Sequence, residues 1–249
     1  MFTIRLLFII FISSKLFSQE LSPIQSFEMD DYNASGQNWM ISQSNDGDMF
    51  FANNDGLLVY NGNKWYSYRS LNNTIIRSVN FINDKVYTGE NTDFGFWLRQ
   101  KNGSYIYTSI PNKYNFPLLE DEEFWNILEF RNWIVFQSLN RFIFFDPFTE
   151  EISSIIPNGG IFKSFVIDNE LFFSINGQGI FKIDGGNYVP FNTNGIFAQN
   201  NINNLFKLND SLLALTQYSG FYKILPENKV LKWNSYLNDL DQLNVYSSI

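Results

Sequence analysis

The chain contains no cysteine and no histidine. Without Cys there is no disulfide, no thiol nucleophile and no Cys-ligated zinc. Without His there is no Ser-His-Asp triad, no imidazole metal ligand and no histidine-kinase phosphoacceptor. No cofactor or metal is therefore expected. Charge is also sparse. Only 17% of the 249 residues are charged, and 17 Lys and Arg against 25 Asp and Glu give a net charge of −8. No basic run breaks the acidic balance, which argues against nucleic acid and anionic lipid as partners. Beyond the first residues no apolar run is long enough to span a bilayer as a helix.

What the sequence has in abundance is apolar and aromatic. Hydrophobic residues reach 45% and aromatics 18%, led by 27 Phe and 13 Tyr. A chain of this length and apolarity folds around a sizeable core. Aromatic and β-branched residues suit a pleated, half-buried surface, so the composition leans towards sheet.

Residues 1–19 have the shape of a secretory signal peptide. Arg5 supplies the positive start, Leu6 to Ile12 an unbroken apolar run, and Ser13 and Ser14 follow. Cleavage is expected near Ser18 to Glu20, with export to the periplasm or another extracytoplasmic space. Residues 20–36 are expected to be a connecting segment.

From residue 37 onwards one pattern recurs five times. An apolar strand leads into a polar turn, a second apolar strand, a small polar loop and a third strand. The turns fall at Asp46-Gly47, Asn83-Asp84, Arg131-Asn132, Asp168-Asn169 and Asn209-Asp210, so the periods are 37, 48, 37 and 41. Asn, Asp and Gly tolerate the positive φ that two-residue hairpins need. A Gly for the next bend is assigned to 56, 95, 179 and 220, with Asn140 in its place in the third copy. Strands apolar on both faces, as in FVIDNELFFSI, suit sheets stacked between two neighbours. A period of about 40 residues with four short strands predicts an all-β propeller. The expected blades are 37–75, 76–115, 124–157, 161–195 and 202–235, with the start of a sixth at Asn244 to Ile249.

Residues 45–62 (NDGDMFFANNDGLLVYNG) and 83–97 (NDKVYTGENTDFGFW) resemble the two-component-regulator propeller repeats of exported Bacteroidetes sensor proteins, whose blades run D-G-x-L-W-x-G-T and then G-L-x-x-Y-D. The later copies keep the skeleton but lose the Trp and the Gly-Thr. The resemblance covers residues 37 to 249. It implies a periplasmic sensor region whose full form carries more blades, a small β-sandwich, a membrane helix and an output module. None of these follows here, so a fragment is expected: either the ring continues beyond Ile249, leaving this part marginally stable by itself, or the five copies close alone.

The tripeptide Asp93-Phe94-Gly95 spells a kinase signature but lacks its context. The run Glu120-Asp121-Glu122-Glu123 is expected to be a solvated loop between the second and third blades. Trp39 and Trp125, at matching repeat positions, are assigned to blade-to-blade packing. A propeller places the starts of its inner strands around a channel mouth. Alignment by turns puts Arg77, Asn126, Lys163 and Asn203 there, with Asn53, Glu90, Asn91, Asp93, Gln217 and Tyr218 on loops of the same face. Arg77 and Lys163, two cations in an acidic chain, would favour an anionic or hydroxyl-rich ligand such as a glycan fragment; the alternative is that each pairs locally with Glu90, Asp93 or Glu129 and the mouth is neutral. No convergent acid–base pair is found, so no enzyme is expected. The function expected is extracytoplasmic ligand sensing. The alternative is an exported structural or protein-interaction propeller of the cell envelope.

Overall fold

The computed structural model describes residues 24–233; the segments expected to be a signal peptide and the start of a sixth blade lie outside the described residues. Five four-stranded antiparallel sheets follow one another along the chain, each with its strands in sequence order. The first is β1 (Asn38–Gln43), β2 (Met49–Asn53), β3 (Gly56–Tyr60) and β4 (Trp65–Tyr68). The second is β5 (Ile76–Ile82), β6 (Lys85–Glu90), β7 (Phe94–Arg99) and β8 (Tyr105–Ser109). The third is β9 (Phe124–Phe130), β10 (Trp133–Ser138), β11 (Phe142–Phe145) and β12 (Ile152–Ile155). The fourth is β13 (Ile161–Ile167), β14 (Glu170–Ile175), β15 (Gly179–Asp184) and β16 (Asn187–Asn192). The fifth is β17 (Ile202–Leu208), β18 (Ser211–Thr216), β19 (Gly220–Ile224) and β20 (Val230–Lys232). Among the described residues three short α-helices punctuate them, α1 (Met29–Tyr32), α2 (Ile110–Tyr114) and α3 (Gly195–Gln199), with a 3-10 turn at Pro226–Asn228.

The turns behave largely as their residues dictate. Asn83-Asp84 and Asp168-Asn169 each hold two successive positive φ values, 49° and 61°, then 49° and 62°. That is what a two-residue turn matched to strand twist requires. The first hairpin differs from expectation. Residues 44–48 form a five-residue loop closed by Ser44 N–H to Asp48 O at 2.9 Å, not a two-residue turn.

The core is divided among the blade interfaces. One apolar cluster fills each of the four contacts between successive blades: Phe50, Leu57, Val79 and Trp97 in the first; Phe94, Phe124, Phe136 and Phe145 in the second; Phe142, Phe144, Phe173 and Phe181 in the third; Phe172, Phe197, Leu205 and Tyr222 in the fourth. Both faces of a middle sheet are thus buried, which explains the near-continuous apolar strands. The segment before the first blade also packs. Phe27 lies 5.1 Å from the Trp65 ring and Tyr32 5.4 Å from it, over the outer strand of that blade. Among the described residues no hydrogen bond, ion pair or ring contact joins the fifth blade to the first.

The bend glycines need one correction. Gly56, Gly179 and Gly220 open their strands opposite Asn53, Ile175 and Thr216. In the second and third blades the corresponding bonds run from Glu90 N–H to Asp93 O and from Ser138 N–H to Arg141 O. Asp93 and Arg141 therefore take the bend, not Gly95 and Asn140. Gly95 lies inside β7 opposite Thr88 and Ser109. A Cβ there would sit 2.1 Å from Thr108 O and 2.8 Å from the Tyr107 hydroxyl. Overpacking of this kind costs about 1–3 kcal/mol. Gly95→Ala is expected to lower the urea midpoint by a corresponding amount; an unchanged midpoint would show that β8 can yield.

Candidate functional site at the channel mouth

Every inner strand carries a one-residue bulge at the same place. In β1 the pairing skips from Asn38 to Met40, in β5 from Ile76 to Ser78, and in β17 from Ile202 to Asn204. In β9, Phe124 pairs with Ser138 and Asn126 with Gln137, so Trp125 is extra; in β13 the irregularity spans Phe162 and Lys163. A bulge leaves its residue outside the ladder and re-aims its side chain. Counted from the hairpins, the re-aimed residues are Trp39, Arg77, Trp125, Phe162 and Asn203. Three of the five are aromatic.

Three of these side chains converge from three blades. The Arg77 guanidinium carbon lies 4.5 Å from the Trp39 ring centroid and 4.7 Å from that of Trp125. The two indoles meet edge-on at 5.9 Å. Arg77 NH2 donates to Glu123 Oε1 at 3.0 Å and Nε to Asn91 Oδ1 at 3.3 Å. Trp39 Nε1 donates to Asn54 Oδ1 at 2.7 Å, which fixes that ring. Each cation–π contact is worth roughly 0.5–2 kcal/mol, according to its desolvation. Trp39 remains 41% exposed, so a ring face at the mouth is available to a ligand. The Trp125 indole N–H beside it has no partner.

Several sequence expectations change here. Trp39 and Trp125 belong to the mouth, not to the blade-to-blade core. Arg77 is not an unpaired cation, because Glu123 neutralises it. Asn126 and Lys163 stand one position beyond the bulge residues Arg77 and Asn203, so the aligned quartet mixes two registers. Asn126 Nδ2 donates to Ser164 O at 3.3 Å and ties the third blade to the fourth. Lys163 Nζ donates to Asn203 O at 3.4 Å, tying the fourth to the fifth, and burial lowers its pKa. No contact joins Lys163 to the Arg77 cluster among the described residues. Asn203 is buried. Gln217 accepts from Asn201 Nδ2 at 3.0 Å, while Tyr218 stands 53% exposed on its loop, apart from the cluster. Asn53 is buried and bonds Ser35 O and Asn38.

The acidic run is not a solvated loop throughout. Glu122 is buried and pairs with buried Arg141 through two bonds, Nε to Oε1 at 2.8 Å and NH2 to Oε2 at 2.6 Å. Its neighbour Glu123 turns to Arg77. One connection thus anchors in the third blade and presents an acid to the mouth. Glu122 O also accepts from Thr92 N–H at 2.7 Å, which holds the Asn91 loop.

Asp93 is not at the mouth either. It is 2% exposed, and its Oδ1 accepts from Ser109 Oγ at 2.7 Å and from Phe94 N–H. Glu90, wholly buried, lies with it. Burial first, and then the charge of Asp93, push the Glu90 carboxyl up to about 8; the Thr74 hydroxyl, which donates to Oε2 at 3.4 Å, opposes the rise. Burial likewise raises Asp93. Among the described residues no cation pairs with either acid. Ser138 and Thr216, which hold the place of Glu90 in other blades, use their hydroxyls to cap their own loops. Among the described residues no group of three or more acids could hold a metal ion.

No protein-family model matches the chain, and no curated protein matches it. Solved structures do. The extracellular domain of BT4673 from B. thetaiotaomicron, described both as a hybrid two-component and as a one-component system, aligns with TM-score 0.58 at 15% identity over 81% of this chain and 28% of its own. That of the hybrid two-component system BT3049 aligns with TM-score 0.55 at 13% identity, over 88% and 38%. PorZ, a surface component of the type-IX secretion system of Porphyromonas gingivalis, aligns with TM-score 0.56 at 12% identity, over 78% and 27%. The fold is a β-propeller's. The propeller blades of this chain span less than two fifths of the length of these neighbours, and the likeness is one of fold.

Proposed function

We propose that this chain is an extracytoplasmic sensing region that binds a hydroxyl-rich ligand, such as a glycan fragment, at the propeller mouth, without catalysis. The observation that carries this reading is the Trp39–Arg77–Trp125 stack. Two indoles held rigidly by a guanidinium offer apolar ring faces, and Arg77, Asn91, Glu123 and Asn54 supply donors and acceptors around them. Sugar rings present the same mixture of apolar faces and hydroxyl edges. The internal Arg77–Glu123 pair favours a neutral ligand, since an anion would have to displace Glu123. The fold shared with extracellular domains of two-component systems supports the placing of this region outside the cytoplasm and upstream of an output module.

Calorimetric titration with neutral and acidic oligosaccharides tests the binding. Trp39→Ala is expected to weaken a bound neutral sugar at least tenfold, about 1.4 kcal/mol, while the fold stays intact with a modestly lower unfolding temperature. No heat from any sugar, or equal affinity in the variant, would remove the reading. The signalling role is tested by the gene beyond Ile249. A membrane helix followed by a kinase or DNA-binding module supports it, and a stop codon there overturns it.

A further inference from the structure

Between the fourth and fifth blades lies a solvent-open cleft of about 470 Å³. The corresponding cleft one interface earlier holds about 200 Å³. The difference has a residue-level cause. In the third blade Phe130, Trp133 and Phe144 face the fourth and fill that space. Counted from the hairpin, Ile167, Glu170 and Lys182 hold these places in the fourth blade: Trp133 pairs with Phe130 as Glu170 does with Ile167, and Phe144 opposes Val135 as Lys182 opposes Phe172. Two rings are thus replaced by an ion pair, Lys182 Nζ to Glu170 Oε1 at 2.7 Å, which turns to itself and leaves room.

The cleft has an apolar wall and an acidic rim. Phe172 and Phe191, edge-to-face at 4.9 Å, line it from the fourth blade, and Leu212 and Ile224 from the fifth. On the rim Asp168 is already paired with Lys207. Asp210 and Glu227 also line the cleft and make no ion pair or hydrogen bond through their carboxylates among the described residues. Glu227 and Asn228 are successive non-glycine residues at φ 65° and 61°. They form the turn between β19 and β20, closed by Leu225 N–H to Lys229 O at 2.9 Å. Here Asn192 Nδ2 holds Asn228 O at 3.0 Å and keeps Glu227 on the rim.

We infer that this cleft is a second ligand site, separate from the channel mouth, for a small molecule with an apolar body and a positively charged group. The volume suits a ligand of drug-like size. Aromatic walls suit a flat apolar body and a cation near their faces. The two uncompensated carboxylates select the sign of charge and disfavour an anion of the same shape.

The full chain is titrated with tryptamine and with indole-3-propionate, which share a ring and differ in charge, and binding is followed by calorimetry. Tryptamine is expected to bind, and indole-3-propionate at least tenfold more weakly. The surface double variant Asp210→Asn with Glu227→Gln is expected to lose that discrimination. Leu212→Trp, which fills the cleft, is expected to abolish tryptamine binding, and Trp39→Ala to leave it unchanged. Equal binding of the two probes to the wild type overturns the proposal. So does no tryptamine binding at about 10 mM, or discrimination that survives the double variant. Should Leu212→Trp fail to fold, the double variant decides alone.

Discussion

Arg141→Met is expected to destabilise the protein by about 3–5 kcal/mol, because it leaves Glu122 buried without its counter-charge. The pair is 6% and 0% exposed, so solvent screens it little. Burial alone would raise the Glu122 carboxyl, but the bonds from Arg141 and from Leu119 N–H outweigh it and hold the acid below its ordinary value. A depressed carboxylate stabilises the fold above its unfolded pKa, and that stability is lost as pH falls through the folded value. The double variant Arg141→Met with Glu122→Leu is expected to recover most of the loss, since two apolar groups can replace a buried ion pair. Urea unfolding at neutral pH measures both. A single-variant loss below about 1 kcal/mol, the range of an exposed pair, would refute the account. Arg141 also donates to Pro117 O at 2.9 Å. Its loss should therefore loosen the connection that carries Glu123 to Arg77, and weaken ligand binding at the mouth along with stability.

The second large effect belongs to Glu90. The unfolded carboxyl ionises near 4.5, whereas the folded one keeps its proton to about 8. Between these values the folded state binds more protons than the unfolded state, so stability falls as pH rises. The contribution is whole below pH 4.5 and gone above about 8. At about 1.4 kcal/mol per pH unit, the window is worth on the order of 5 kcal/mol. Asp93, also raised, adds a slope of the same sign at lower pH. Tyr107, the other titratable group beside the pair, is raised well above 10 and stays neutral throughout. Glu90→Gln keeps the shape and removes the charge. It is expected to flatten the curve and to exceed the wild type in stability above pH 8. Parallel curves for the two proteins in urea unfolding would show that the acid is solvated.

These two acids mark where sequence reasoning stops. By repeat position Glu90 and Asp93 belong to a loop that borders the mouth. Their burial depends on Ser109 and Tyr107, in the outer strand of the same blade, and on Thr74 and Ser70, in the connection that precedes it. Nothing in the local pattern shows that these chain segments close over the carboxylates. Glu122 and Arg141 lie 19 residues apart, in a connection and at a bend. As a run, Glu120 to Glu123 looks solvated; only the packed third blade separates Glu122 from its exposed neighbours.

The sequence by itself determined the architecture, because the signals for it are local. Strands apolar on both faces, turn residues that accept positive φ and a recurrence of about 40 residues each act within a few residues, and together they dictate four-stranded blades stacked face to face. The tertiary structure alone decided which side chains reach the channel. A bulge shifts the ladder by one residue, and a one-residue shift turns a side chain to another side. Trp39, Arg77, Trp125, Phe162 and Asn203 share the bulge position, and only the assembled blades bring the first three of them together. The same holds for the cleft. Whether Glu170 and Lys182 replace a ring or cover a surface depends on which sheet they face, and that is fixed only when two blades meet.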